Sequence, residues 1–386
     1  MNHLTIAISI KNLIFSYDKK AFLKINELEI PANNIITILG PSGAGKSTFL
    51  NILAGFLPVK TGIEYHEKFK NFGYIMQKNN LYEEISVKKN LWISAKNSPE
   101  WTLKVWKLSW ENFKKDKNSQ DFSDSLGNLL SNKSTLGVEK AIKKFKFYFY
   151  ILKNIKFYIF FLKFRKKYFE KEVLNVLKAL EIDDIFLKKA KNISGGQQQR
   201  VAFAKSIIKG DNLVLMDEPF SSLDAKIKES TIKLLLKIKQ EFNMTIILVT
   251  HDQTDAMKIS DKIILLNKGE ILQYSNPEEL FENPQSIFAA KFIGMPEINF
   301  IEKQGEIEYY IRSKYIKISP TSEPTNGKVF YKKNIADNFY YQIHDTEKNI
   351  DLEIISPIDI QGQNVKIEYN KDKIFAFDKG GNRVNG

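Results

Sequence analysis

The chain has 386 residues, 43% of them hydrophobic and 27% charged, with no cysteine and a formal net charge of +13. That length predicts two or three domains with a sizeable core, and the composition excludes a disordered, fibrous or small stapled chain. Disulfides, thiolate metal sites, iron–sulfur clusters and cysteine nucleophiles are excluded as well, and no uncharged apolar run is long enough for a membrane-spanning helix.

The opening MNHLTIAISIKNLIF has an apolar run but neither a basic start nor a small-residue cleavage site. A first strand and a cytoplasmic chain are expected rather than a secretion signal. Further strands are expected at INELEI and at IITIL, which runs straight into a glycine-rich turn and a helix. From about 96 to 170 the composition changes. Trp101, Trp106 and Trp110 lie close together, a polar stretch runs from Asp116 to Ser134, and a basic aromatic segment follows, so this region reads as an insertion. From 171 the pattern is α/β again: a helix KEVLNVLKALEI, a helix starting near Gly196, a strand LVLMD, a helix from Ser222 to about Phe242 and a strand TIILVT. Buried apolar runs alternating with helices imply a parallel sheet. KIILLNKGEIL reads as a hairpin with its turn at Asn267 to Gly269, and two helical stretches lead to about Ile293. After Gly294, EIEYYI, KVFY, FYYQI, DLEII and VKIEY alternate as short strands. The expected domains are therefore 1–293, α/β with the insert at about 96–170, and 294–386, a small β domain.

Three elements carry chemistry. Gly40, Pro41, Ser42, Gly43, Ala44, Gly45, Lys46, Ser47 and Thr48 sit after a strand and before a helix. Such glycines let backbone N–H groups wrap phosphates, the lysine neutralises the β and γ phosphates, and the Ser47 hydroxyl can ligate Mg²⁺. The plain alternative is a glycine turn before a helix. Next, the apolar run Leu213 to Met216 ends in Asp217, Glu218 and Pro219. A buried strand ending in two acids delivers one carboxylate to a metal shell and the next to an attacking water, as phosphoryl transfer to water requires; alone it would be an acidic turn. Finally, Ile193, Ser194, Gly195, Gly196 and Gln197 precede QQRVAFAKSI, making a second anion-binding helix N-terminus.

Together these motifs resemble the ATPase subunits of ABC transporters, over about residues 6 to 293 apart from the insert. The family signature has leucine where this chain has Ile193, a change conservative in size. The resemblance implies a phosphate-loop ATPase fold with a helical subdomain. It also implies that Tyr17 stacks on adenine, the alternative being a strand tyrosine in the core. Gln77 is implied to touch Mg²⁺ and the attacking water, Ser222-Leu223-Asp224 to cross between two nucleotide domains, and His251 to contact the γ-phosphate. Glu218 is then the general base, with Lys46 and Mg²⁺ as charge stabilisers. ATP would lie between the phosphate loop of one subunit and the signature of another, so this chain, with one motif set, needs a second nucleotide-binding subunit, identical or related.

The sequence from Asp252 to Gly294 looks like importer ATPases for sugars, polyols, glycerol phosphate or polyamines. Gly294 to Phe300 and the closing AFDKGGNRV resemble the carbohydrate-uptake group, whose C-terminal domain is a β-barrel of the OB or TOBE kind. The implied role is powering solute uptake through integral-membrane permease subunits, with an extracytoplasmic solute-binding protein acting indirectly. The subunit would lie in the cytoplasm, peripheral on the inner face of the membrane. No specific nucleic acid is expected. The rival roles are an ABC ATPase acting on ribosomes or nucleic acid, and a non-hydrolysing regulatory module, against which Glu218 and His251 both speak.

Residues 139 to 171 hold eleven Lys/Arg, two Glu and twelve Phe/Tyr, leaving only +4 for the rest of the chain. Lys146, Lys153, Lys156 and Lys163 fall within about 100° on an α-helix. Three readings are open: a helix on the membrane surface or against the permease, a nucleic-acid arm, and a core helix with a solvated lysine stripe.

Overall fold

The computed structural model describes residues 5–17, 22–59, 62–76, 81–115, 155–221, 223–321 and 325–384, with backbone alone at 114, 115, 155 and 156. The first part of the chain runs β1 (Ile6–Phe15), β2 (Leu23–Pro31), β3 (Ile35–Leu39), α1 (Lys46–Leu53), β4 (Ile63–Tyr65) and β5 (Phe72–Ile75). Helices α2 (Val87–Asn97), α3 (Pro99–Lys115), α4 (Ile155–Ala179) and α5 (Gly195–Lys209) follow. Then come β6 (Leu213–Asp217), α6 (Ala225–Phe242), β7 (Thr245–Thr250), α7 (Gln253–Ile259), β8 (Lys262–Asn267), β9 (Glu270–Ser275), α8 (Pro277–Glu282) and α9 (Ile287–Phe292). The tail carries β10 (Asn299–Gln304), β11 (Ile307–Ile311), β12 (Ile316–Pro320), β13 (Gly327–Ile335), β14 (Asn338–Asp345), β15 (Ile350–Ser356), β16 (Asn364–Tyr369), β17 (Ile374–Phe377) and β18 (Arg383–Val384). Two compact units result: 1–64 with 247–386, and 65–246.

In the first unit a mixed sheet runs β1-β2-β9-β8-β3. β1 pairs antiparallel with β2 and β8 with β9, while β3 and β8 are parallel in register from Ile36↔Lys262 to Leu39↔Leu265. All five residues of β3 are buried, which is why its sequence is a continuous apolar run rather than an alternating one. The hairpin turn falls where the sequence predicts it: Lys268 and Gly269 are both left-handed, at φ 47° and 80°, the conformation of a type I′ turn.

The tail forms a four-stranded sheet, β10-β11-β17-β18, and a five-stranded one, β12-β16-β13-β14-β15. The larger sheet encloses a core of Ile316, Ile318, Tyr341, Ile343, Leu352, Ile354 and Val365. The smaller packs Tyr310, Phe375 and Phe377 on Ala290 of α9, while Ala289, one residue earlier, joins Leu265, Leu280 and Ile293 in a separate core. One short helix thus buries adjacent alanines in two cores. Arg312, 3% exposed, reinforces the joint. Its Nε donates to Phe281 O at 2.9 Å and its Nη1 to Ile293 O at 2.6 Å, carbonyls near the ends of α8 and α9.

In the second unit β5 and β6 are parallel, and the helices carry most of the core. Trp101, Trp106 and Trp110, the three close tryptophans, are buried along α3. Trp106 and Trp110 meet Phe157 of α4 edge-on at 6.1 and 5.3 Å, and Trp101 meets Phe169 at 6.2 Å. α4 is already helical at Ile155, the first described residue after 115, well before the start expected at 171, because buried Phe157, Phe161 and Phe169 continue the apolar face of Val173 and Leu177. Within the described part of the insert, then, the helix packs one face into the core and leaves Lys163, Lys166 and Lys167 exposed. Lys146 and Lys153 lie outside the described residues, as does the side chain of Lys156. Among the described residues no helix is long and apolar enough to cross a membrane.

Candidate functional site

In the first unit β3 delivers the chain into the loop 40–45 and then α1. Gly40 has no room for a side chain, since a Cβ there would lie 2.1 Å from the Leu266 carbonyl oxygen. Gly45, at φ 103°, turns the backbone left-handed directly before α1, whose first turn has no side-chain cap. Lys46 is buried, and its ammonium donates to the Gly40 and Pro41 carbonyls, both at 2.9 Å. The cation is thereby held on the inner side of its own loop. Uncapped first-turn amides and a fixed cation form a cradle suited to phosphate oxygens.

Tyr17 lies beyond the end of β1 with 59% of its surface exposed, so it is not a core tyrosine. Its hydroxyl shares a 3.0 Å hydrogen bond with Thr48 Oγ1, and its ring stands edge-on to Phe15 and Phe22. A flat apolar surface is thus anchored to the helix that opens at Lys46. His251 is exposed just after β7. The turn that carries it is pinned by Asp252, whose amide donates to Thr250 Oγ1 and whose carboxylate accepts from Asp255 N, both at 3.0 Å.

In the second unit, the Leu213 to Met216 side chains of β6 are fully buried and Asp217 is half-buried. Burial, with the Asp217 charge as a smaller contribution, pushes the neighbouring Tyr74 phenol up to about 12. Glu218 has φ 45°, a left-handed backbone that costs a side chain of this size about 1 kcal/mol or more. Ser221 holds it there: its amide and hydroxyl donate to the Glu218 carbonyl at 3.3 and 3.0 Å. Gln199 of α5 adds a buried bond to Pro219 O at 2.9 Å. Nothing in the sequence singled out Gln199, three residues beyond the glycine pair on an ordinary helix.

Ser194 is the N-cap of α5 and forms a capping box with Gln197. Its hydroxyl accepts from Gln197 N at 3.3 Å, and its own amide donates to Gln197 Oε1 at 3.1 Å. Ile193 is buried beside it, while Ser194 and Gly195 are exposed. Asp224 caps α6 through Ile227 N at 3.0 Å, a structural task independent of any partner. Gln77 and Ser222 lie outside the described residues.

The structure therefore groups Tyr17, Gly40 to Thr48 and His251 in one unit, and Asp217, Glu218, Ser194 to Gln197 and Asp224 in the other. Serine hydroxyl and carboxylate oxygens, as at Ser47 and Asp217, are hard donors of the kind that suit Mg²⁺ when phosphate oxygens complete its shell.

The family model described as ABC transporter matches residues 23–221. A spermidine/putrescine import ATP-binding protein, PotA, of Mycoplasmopsis synoviae (strain 53) is 30% identical over 333 residues, covering 75% of this chain and 71% of its own. The sn-glycerol-3-phosphate import ATP-binding protein UgpC of Bartonella bacilliformis is 30% identical over 308 residues, covering 77% and 70% respectively. A solved structure of a metal-chelate type ABC transporter in an inward-facing conformation matches with a TM-score of 0.50 at 19% identity, over 78% of this chain and 94% of that one. At that identity the likeness speaks to the fold.

Proposed function

This chain belongs to the ABC transporter ATP-binding family, and from that membership we propose that it is the ATP-hydrolysing subunit of an importer, driving solute uptake through a separate membrane permease. The observation that carries hydrolysis is Glu218, directly behind the buried strand β6 in a strained backbone that Ser221 fixes. A carboxylate so held accepts a proton from water while the water oxygen bonds to the γ-phosphorus and the bond to the ADP oxygen breaks. Lys46 offsets the charge of the phosphate oxygens, the glycine-loop amides orient them, and His251 contacts the γ-phosphate. Tyr17 takes the adenine face. Ser47, Asp217 and Gln77 would hold Mg²⁺, which would supply positive charge to offset that of the phosphate oxygens.

Ser194, Gly195, Gly196 and Gln197 serve a second copy or a related chain, because one set of motifs completes only half of each water-excluding site; Asp224 lies on the loop between the pair. The relatives' names support uptake of polyamine or glycerol phosphate, and the passage after Gly294 supports sugar or polyol. The permease and an extracytoplasmic binding protein make that choice, so the subunit itself sits on the inner face of the membrane. Residues 294–386 form an accessory β domain.

Glu218→Gln should bring ATP hydrolysis to background with nucleotide binding retained; unimpaired turnover would overturn the assigned base. Affinity purification from gently solubilised native membranes should recover multi-spanning permease subunits. Recovery of ribosomes or nucleic acid without any membrane protein would overturn the importer reading.

A further inference from the structure

Between α2 and α4 lies a cavity of about 410 Å³ that the nucleotide chemistry does not use. Trp92, Leu162 and Phe169 give it an apolar floor, and Lys88, Lys89, Arg165 and Lys166 stand around it against one acid, Glu170. Lys88 lies 2.6 Å from Glu170, and that hydrogen bond and charge hold the carboxyl below the ordinary carboxylate range. The acid is thus bonded to Lys88, with the Lys166 charge a smaller influence on it, and one carboxylate against four cations leaves an excess of three positive charges around the cavity. Lys89 and Lys166 are exposed, and neither ammonium has an ion-pair partner among the described residues. Arg165 lies 5.1 Å from the Trp92 ring centre and 5.6 Å from that of Phe161. Its Nε is buried with no hydrogen-bond partner among the described residues.

The first-turn amides of α2 are already used: Val87 N donates to Lys188 O, Lys88 N to Phe186 O and Lys89 N to Ser86 Oγ. An anion here is held by side chains, not by the helix end. One turn before Leu162, Tyr158 and Ile159 are 39% and 48% exposed and carry the apolar floor outward along α4. Apolar side chains beside long lysines are the pattern of a helix at a lipid interface, with stems in the acyl boundary and ammonium groups among headgroups. A free phosphate would leave that strip unmatched. A single acidic side chain would leave most of the charge of Lys89, Arg165 and Lys166 unmatched, whereas an anionic lipid surface meets both.

We propose that the cavity between α2 and α4 binds an anionic phospholipid of the membrane surface, its phosphate among Lys89, Arg165 and Lys166 and its acyl chain over Trp92, Leu162 and Phe169. The assignment is independent of the importer reading, since it needs neither nucleotide nor permease.

The test uses the purified full chain and phosphatidylcholine vesicles with and without phosphatidylglycerol, some carrying brominated acyl chains. The chain should sediment with the anionic vesicles only. Brominated lipid should quench Trp92, since Trp101, Trp106 and Trp110 are buried, and Trp92→Phe should remove the quenching. At about 1 kcal/mol per lysine near an anionic surface, the double variant Lys89→Gln, Lys166→Gln should lower vesicle partitioning about thirtyfold. Its thermal unfolding and basal ATP hydrolysis should stay unchanged, and Lys328→Gln with Lys333→Gln, on exposed β13, should partition like the parent. Equal partitioning of the Lys89 and Lys166 variant, absence of quenching, or binding of inorganic phosphate or a polyglutamate peptide without vesicle binding would each overturn the proposal.

Discussion

Gln199, buried on α5, donates its side-chain amide to the backbone carbonyl of Pro219 at 2.9 Å. That bond ties the helix behind Ser194 to the turn that carries Glu218, so the two candidate segments of the 65–246 unit share one support. Gln199→Leu keeps the volume and removes the donor, leaving a buried carbonyl unsatisfied at a cost of about 1–3 kcal/mol. The expected outcome is a drop in kcat of about tenfold, equivalent to ~1.4 kcal/mol of lost positioning, with the Kd for ATP unchanged. A raised Kd at constant kcat would assign Gln199 to nucleotide binding instead.

Two glycines separate steric need from chemical need. At Gly40 a Cβ would meet the Leu266 carbonyl at 2.1 Å, whereas at Gly195 nothing lies within 4 Å and φ is not positive. Gly40→Ala should therefore cost several kcal/mol, by forcing apart backbone that cannot yield, and urea denaturation should show it. Gly195→Ala should leave stability within about 0.5 kcal/mol or raise it slightly. If the exposed signature turn meets phosphate on a second subunit, Gly195→Ala should still lose ATPase activity. Full activity would exclude a close backbone approach there.

Much of this was legible because backbone chemistry leaves local marks. A strand buried on both faces must read as IITIL or LVLMD, and a loop that bares its amides must be glycine-rich. The end of the insertion was not legible: a basic aromatic composition masked the continuity of Phe157, Phe161 and Phe169 with Val173. Gln199 and Arg312 were invisible for another reason. Each acts by donating to a main-chain carbonyl distant in sequence, and such bonds impose no period and no motif. Tyr17 could be read either way until its exposure was known.

Asp211 gives a pH signature. It is 7% exposed, and burial raises its carboxyl above the ordinary range even though Lys209 lies 2.8 Å away and pulls the other way. A carboxyl raised in the folded state contributes stability that is full below its unfolded pKa and is lost as pH rises through its folded one. The parent should therefore lose urea resistance relative to Asp211→Asn as pH rises from about 4 toward neutrality. Parallel pH profiles for the two proteins would mean that Lys209 compensates the burial in full.

Arg312 holds the tail to the helices that precede it. Burial brings its guanidinium down to about 10, still charged at neutral pH, and the group sits 3.9 Å over the Phe281 ring while it donates to carbonyls at the C-terminal ends of α8 and α9. Charge at a helix C-terminus, planar donors and an aromatic face all favour arginine at this place. Arg312→Met should cost about 3 kcal/mol, since the carbonyls lose their donor inside the fold. Arg312→Lys should recover only part of it, because one ammonium cannot serve two helix ends and stack as well. Limited proteolysis should then cut residues 294–386 before the rest of the chain. If Arg312→Met unfolded with the parent's midpoint and the parent's cleavage pattern, the joint would rest on Ala290, Tyr310 and Phe375 alone.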